Sequence, residues 1–484
     1  MSITGALNNA LSGLTANARA AQVGASNLSN ALTPGYGRRQ LQVAARGYGT
    51  TGGVSVIGVN RLVDPATIAD RRIAAADLAG ASAQSAFYET LSRLLGEPGA
   101  AGSLDHRFTA FEDALITAAS RPDLPERLTQ VANTAQQLAD QFQTISTGIQ
   151  TQRERADAAI NQMVDQLNTG LSQLSDLNGR IARTRNSPED LLALQDARQQ
   201  VIDDISKLVP VRVIARDHGV VALYTTGGGI LIDGTAPELS FQPTPTIEPH
   251  MTFANGLLSG ISLNGKALNI TPNQGPLRGG ALAAQIAIRD ALAIDAQAQI
   301  DGLARELVDR FQDPALDSTL GATDPGLFTD AGLRFDSSDE TGLSGRVSLN
   351  ALVSPSGTNA MWRLRDGLQT GAPGATGNAS LLQAKHAAMR AAKTPASSLF
   401  GSATLAINDL TGRVLTHFSA AQFASDNRQG FFAAQLSALE TKEFALGVDT
   451  DQELQQLLLI EQSYAANARM IETIDGLIQT LIRI

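Results

Sequence analysis

The 484-residue sequence contains no cysteine. Disulfides, thiolate chemistry and cysteine-based zinc sites are therefore excluded together. No run of about 18 consecutive apolar residues occurs, so no transmembrane helix and no membrane insertion are expected. The N-terminus does not read as a Sec signal either. Its first charge is Arg19, and Asn8, Asn9 and Ser12 interrupt the apolar residues. The expectation is a chain that stays in the cytoplasm or leaves by a route that reads an uncleaved N-terminus. There is no dense Lys/Arg run and the net charge is −10, which disfavours nucleic acid and anionic membrane surfaces as partners. Aromatics are 4% of the chain with one tryptophan, Trp362, which suits thin helical bundles better than one thick core.

Chemistry-bearing motifs are also absent. The five histidines, His106, His218, His250, His386 and His417, include no i,i+4 pair and no HExxH. No GxSxG elbow is found. Gly227-Gly228-Gly229 lacks the Gly-Lys-Ser/Thr ending of a phosphate loop and reads as a turn. Asp313 to Asp330 lacks the spacing and terminal Glu of a calcium loop and reads as a solvated segment. No catalytic, cofactor or metal site is expected, and the chain is read as a non-enzyme.

What the sequence does carry is helical periodicity at both ends. Leu7, Leu11, Leu14, Ala18, Ala21, Ala25, Leu28 and Leu32 fall at alternating steps of four and three, a heptad seam held for about four repeats. Gly5, Gly13 and Gly24 weaken this helix by roughly 1 kcal/mol each relative to Ala, so it is expected to order only against a partner. Pro34 and Gly35 end it, and Gly47 to Gly58 reads as a short hairpin or loop. At the other end, Thr450 to Glu453 reads as a capping box opening a helix over 451–484. Its apolar face holds Leu454, Leu457, Tyr464, Ala468, Ile471, Ile474, Ile478 and Leu481.

Between the ends, helices are predicted over 66–95, 104–119, 124–184, 188–208 (opened by a Ser187 to Asp190 capping box), 281–312, 380–393 and 419–446. At Val209 the period switches to that of strands. Short strands are expected at 211–214, 220–224, 230–232 and 239–241, continuing through 251–255 and 257–270, with another at 346–349. Pro243, Pro245 and Pro249 read as an exposed connection.

The fold class is mainly α with a β-rich insert, its terminal helices paired in a coiled-coil-like domain, with a long helical-bundle body and an outer β domain. The length fits roughly three domains. Residues 1–60 with 447–484 form the terminal helical assembly domain. Residues 61–208 with 279–320 and 376–446 form the body. Residues 209–278 form the β-rich insert, with 321–375 an irregular or β segment.

Residues Ala10 to Leu14 and Ala25 to Tyr36, including Thr33-Pro34-Gly35-Tyr36, resemble the N-terminal signature of bacterial flagellar rod, hook and hook-associated axial proteins. Glu453 to Leu458 and Gln462 to Arg469 are similar to the matching C-terminal motif of that family. Trp362 to Gly367 and the Gly279-Gly280 helix start resemble its hook-associated members. Leu28 to Leu32 and Gly37 depart from the usual pattern without disturbing the heptads. The centre looks short for the family, so an outer domain is expected to be reduced.

The resemblance implies a structural role in a hook–filament junction ring and export through the flagellar type III channel. The partners it implies are other copies of the chain, hook protein, hook-associated protein 3 and an export chaperone at the C-terminal segment. The implied assembly interface comprises the N-terminal heptad residues and Tyr36, with Leu454, Leu457, Tyr464, Ala468, Ile471, Ile478 and Leu481. The alternatives are a hook- or filament-type axial subunit, or a secreted enzyme carried on the β insert.

Overall fold

The structure, a computed structural model, describes residues 3–46, 52–97, 99–184, 188–272, 274–357 and 360–483. Helix α1 (Ile3–Ser29) leads into a hairpin of β1 (Arg38–Ala45) and β2 (Val54–Leu62). Then come α2 (Pro65–Leu95), α3 (Leu104–Ser120), the 59-residue α4 (Pro125–Arg183) and α5 (Pro188–Leu208). The insert holds β3 (Val211–Ala215), β4 (Val221–Thr225), β5 (Ile230–Ile232), β6 (Leu239–Ser240), β7 (Ser262–Leu263) and β8 (Lys266–Ala267). The body resumes with α6 (Gly280–Ala287) and, after one π-helical turn at 288–292, α7 (Ala293–Phe311). Short pieces follow: β9 (Phe328–Asp330), α8 (Leu343–Arg346), β10 (Val347–Leu349) and α9 (Arg363–Asp366). The chain ends in α10 (Ser380–Arg390), α11 (Ile407–Phe444) and α12 (Thr450–Arg483).

One helix organises two cores. The N-terminal half of α4 contributes Leu138, Phe142 and Ile145 to a core shared with α2, α3, α7 and the first turns of α11. Its C-terminal half contributes Ile160, Val164, Leu167, Leu171 and Leu174 to a second core shared with α5, α6 and the insert. The few aromatics are concentrated in the first core. Phe111, Phe311 and Phe328 pack mutually with centroids 5.4 to 5.6 Å apart, and Phe108 meets Phe142 edge-on at 5.9 Å. Residues 321–375 deliver Phe328, Phe335, Leu343, Val347 and Leu364 into that same body core.

The fold is mainly α with a small β insert. Its sheets are an antiparallel β3-β4-β5 sheet and a minor β6-β7-β8 sheet, alongside the β1–β2 and β9–β10 pairs. The strands expected over 251–255 and most of 257–270 do not form. Residues 251–257 close local turns, with Thr252 N and Leu257 N donating to Asn255 Oδ1 and Asn255 N to Thr252 Oγ1, while the preceding connection and Met251 O find partners on α4. The Asp157 carboxylate accepts from Thr244 N at 2.7 Å, and Arg153 donates to Arg289 O and Glu248 O, each at 3.1 Å. The connection bearing the three prolines is thereby docked, with Ile247 buried beneath it.

Arg289, fully buried in the π-helical turn, pairs with Asp157 and Asp290 at 2.7 Å and donates to Ser259 O. The insert is therefore pinned to the body from both sides of its long connection. Gly280 has φ +74°, and a Cβ there would lie 2.5 Å from Leu208 O, so the helix start requires glycine.

Three boundaries differ from expectation. Helix α11 starts at Ile407, because Ile407, Leu410, Val414 and Phe418 continue its buried face toward the N-terminus. The hairpin is longer than the Gly-rich stretch suggested and begins at Arg38, although residues 47–51 lie outside the described residues. At α12 the capping box is not formed. Asp449 accepts from the backbone N–H groups of Asp451 and Gln452 at 3.0 and 3.1 Å, while Glu453 faces elsewhere. The Ser187 to Asp190 box falls outside the described residues at Ser187.

Lys385 of α10 is fully buried and donates to Leu364 O at 3.0 Å. Burial pushes its ammonium down to about 8, with Asp317 opposing the shift. The unfolded chain keeps that proton up to about pH 10.4. Unfolding between these values takes up a proton, so the group adds stability as pH rises through the window. Relative to Lys385→Met, the wild-type chain is expected to gain about 3 kcal/mol between roughly pH 8 and 10.5. Urea unfolding of both proteins across that range checks this; a constant difference would contradict it.

Candidate assembly interface

The terminal helices α1 and α12 pack antiparallel along their length. Near the start of α12, Leu457 lies against Gly24, where a Cβ would sit 3.1 Å from Leu457 Cδ2. Midway, Asn17 Nδ2 donates to Ser463 Oγ at 2.9 Å. Further along, a Cβ on Gly13 would come within 2.8 Å of the Asn467 amide. The stripe of α1 that meets α12 thus runs through Gly13, Asn17 and Gly24, each one residue before a position of the predicted seam, with Ala16 and Ala20 lining the cleft beside it. Gly13 and Gly24 act here as close-approach positions, where the sequence suggested only weak points in a helix.

The predicted seam lies on the adjoining face. Leu11 is 56% exposed and Leu32, beyond the helix end, is 97% exposed. Ala18 and Ala25 are exposed, and Leu7, Leu14, Ala21 and Leu28 are half-covered. On α12 the expectation divides. Leu457, Ala468, Ile471 and Ile478 are half-covered and Ile474 is buried, while Leu454, Tyr464 and Leu481 are 47%, 47% and 60% exposed. Leu458, Leu459, Met470, Leu477 and Ile482 extend the exposed apolar surface. A cleft of about 600 Å³ remains between α1, β1 and α12.

The Ala25 to Tyr36 motif is a clasp. Asn27, 1% exposed, accepts at Oδ1 from Tyr36 Oη and Arg39 N and donates from Nδ2 to Arg39 O, all at 2.9 Å. The Arg39 guanidinium stacks 5.1 Å from the centroid of the half-buried Tyr36 ring. Burial pushes the Tyr36 phenol up. Tyr36 thus serves within the chain, tying the end of α1 to β1.

Charges that the sequence reading did not identify tie the clasp to α12 and to α5, and tie α2 to α5 and α11 within the body. Arg38 Nε donates to Glu453 at 2.7 Å; that carboxylate is 3% exposed. Asp196 of α5 pairs with Arg61 at 2.6 Å and Arg39 at 3.5 Å, and accepts from Gly37 N. Asp203 binds Arg71 and Arg72 at 2.7 and 2.6 Å, and Arg71 also reaches Glu443 at 2.5 Å. Most of these pairs join positions more than a hundred residues apart, so local spacing gives no sign of them.

No group of three or more His, Asp or Glu is placed to hold a metal ion among the described residues. His386 and His417 instead pair singly with Glu112 and Asp295.

The fold is a mainly α chain whose paired terminal helices bracket a helical body, and sequence comparison shows what it is similar to. Residues 88–315 match the family model described as flagellar hook-associated protein FlgK helical domain. Residues 445–484 match the flagellar basal body rod FlgEFG protein C-terminal model. The chain is similar to proteins named flagellar hook-associated protein 1. It is 29% identical over 280 residues to that protein of Escherichia coli K12, covering 54% of this chain and 50% of the other. To that of Bacillus subtilis 168 it is 25% identical over 286 residues, covering 54% and 56%. The chain thus spans about half the length of the curated relatives it matches. A solved structure of the flagellar hook junction protein FlgK from Burkholderia pseudomallei aligns at 23% identity with a TM-score of 0.45, covering 55% of this chain and 47% of that one.

Two outcomes follow. Asn17→Cys with Ser463→Cys is expected to form an intramolecular disulfide, and adding Gly24→Val to reduce its yield by about fivefold or more, since overpacking forces the helices apart. A simple gain in α1 helicity with unchanged yield would contradict the seam. Asp203→Ala leaves Arg72 without an ionic partner and Arg71 with Glu443 alone, and is expected to cost about 2–3 kcal/mol in urea unfolding.

Proposed function

We propose that this chain is a structural, non-enzymatic subunit of the bacterial flagellum that forms the ring joining hook to filament. In this reading it is secreted through the flagellar type III apparatus. Its neighbours are other copies of itself, hook protein and hook-associated protein 3, and a chaperone holds its C-terminal segment before export. Residues 1–60 and 447–484 form the inner assembly domain. Residues 61–208, 279–320 and 376–446 form the body, and 209–278 the outer insert.

The observation that carries the proposal is the apolar face left over by the α1–α12 pair. Small and amide side chains close that pair internally, while Leu11 and Leu32 of the N-terminal segment and Leu454, Leu458, Leu477 and Leu481 of α12 stay in water. A monomer rarely leaves so much apolar side chain on two adjacent helices unless another surface covers it. The helical-domain match favours this role over a hook- or filament-type subunit, and over an enzyme carried on the insert.

Leu11→Asp tests it directly. Leu11 is solvent-facing in the single chain, so the monomer is expected to keep its melting temperature. Burying the new charge in the assembly is costly, so incorporation at the hook tip and filament growth are expected to fail in a strain lacking the native subunit. Fluorescence imaging of labelled protein checks this. Normal incorporation, or wild-type label spread along the filament, would refute the proposal.

A further inference from the structure

Behind the ionic joint lies a second cleft, of about 390 Å³, between α2, α5 and the first two strands of the insert. Its walls are apolar: Pro65, Ile68, Val211, Val213 and Val221. Arg61, Arg72 and Arg198 also line it. Arg61 and Arg72 are neutralised by Asp196 and Asp203. Arg198 is not. Its Nη1 donates to Asn178 Oδ1 at 3.2 Å and to Gly219 O at 2.6 Å, both uncharged. Its Nε and Nη2 have no acceptor among the described residues. Burial, then the repulsion of Arg61 and Arg72, pushes this guanidinium down to about 10.

The imbalance extends to the whole joint. Among the described residues, the ion pairs of Arg38, Arg39, Arg61, Arg71 and Arg72 draw on four carboxylates, Asp196, Asp203, Glu443 and Glu453, and Arg198 has none. In a chain of net charge −10 this is a local excess of positive charge. A half-enclosed guanidinium without an anion is destabilised, and an anion delivered there gains more than it would at an open surface. Nε and Nη2 form the side-on edge of the guanidinium that binds a carboxylate through two parallel hydrogen bonds.

We propose that this cleft receives an acidic side chain, together with its apolar neighbours, from a second copy of this chain. The carboxylate forks onto Arg198, and the flanking apolar side chains cover Ile68, Val211 and Val213. The proposal rests on the assembly reading above and names one contact within it. A small free anion would satisfy the arginine and leave the valines bare. A segment with alternating acidic and apolar residues covers both, and the solvent-facing side of α12 offers such segments at Leu458, Leu459 and Glu461 and at Glu472, Asp475 and Leu477.

The test places a photo-crosslinking amino acid at Val213, exposed on the cleft rim, in the full chain within assembled flagella. The expected product is an adduct between two copies of this chain. Arg198→Glu is expected to lower both adduct yield and incorporation at the hook tip about tenfold, by placing like charges together. Arg198→Gln, which keeps the size without the charge, is expected to fall between Arg198→Glu and wild type. Arg198 donates to Asn178 Oδ1 and Gly219 O beside Val211 and Val221 of the second core, so both purified variants are expected to melt below wild type while keeping its circular dichroism at room temperature, and the Val213 adduct in the wild-type background tests the contact independently of that loss. If wild-type chain incorporates but the Val213 adduct joins another protein or does not form, the cleft is not a contact between copies and the proposal is overturned. The same holds if Arg198→Glu incorporates normally. If wild-type chain itself is absent from the hook tip, the assembly reading fails first and takes this contact with it.

Discussion

The terminal pair is governed by the size of the side chains between its helices. Gly13 and Gly24 let α1 come close to α12, and Asn17 supplies a hydrogen bond to Ser463 where apolar bulk would otherwise sit. A helix that meets its partner through glycine and asparagine has to put its leucines elsewhere. Such a seam buries little apolar area, so it stabilises the pair weakly. The larger apolar stripe lies about one residue around the helix. The features that close the pair within one chain are thus the same ones that leave it incomplete, and covering the remaining stripe adds burial that the isolated chain lacks.

This also explains which parts of the molecule could be read in advance. The body helices were legible because their apolar residues recur over many turns, and α4 keeps its stripe for 59 residues. The period of α1 was legible too, yet the contacting face was displaced by one residue. Four-and-three spacing occurs in both registers, and apolarity ranks leucine above glycine as a core residue even where close approach matters more. In the insert, β3, β4 and β5 followed the alternating pattern. The stretch after Pro243 did not, because α4 side chains satisfy the backbone of 244–251 and Asn255 closes a local turn after it, and nothing local records that Arg153 or Asp157 lies opposite.

Pinning the insert to α4 has a mechanical consequence. Arg289, Asp157 and Asp290 lie beneath the connection and are almost fully buried. A buried ion network of this kind adds little net stability, since desolvation offsets most of the attraction, but removing one member leaves an uncompensated charge. Its effect is to fix orientation. With one continuous helix shared by both cores, force applied to the insert passes into the body without crossing a flexible linker.

The join between terminal pair and body is built on a different principle. The contacts that orient the clasp on α5 are mainly ion pairs and amide hydrogen bonds: Asp196 with Arg39, Arg61 and Gly37 N, and Gln199 with Arg61. An apolar core resists reorientation because any shift opens voids. Charged pairs on long side chains tolerate small displacements, since each arginine can exchange one oxygen acceptor for another at modest cost. The chain therefore combines a body and insert locked by packing and buried ions with a terminal pair held at an adjustable charged joint.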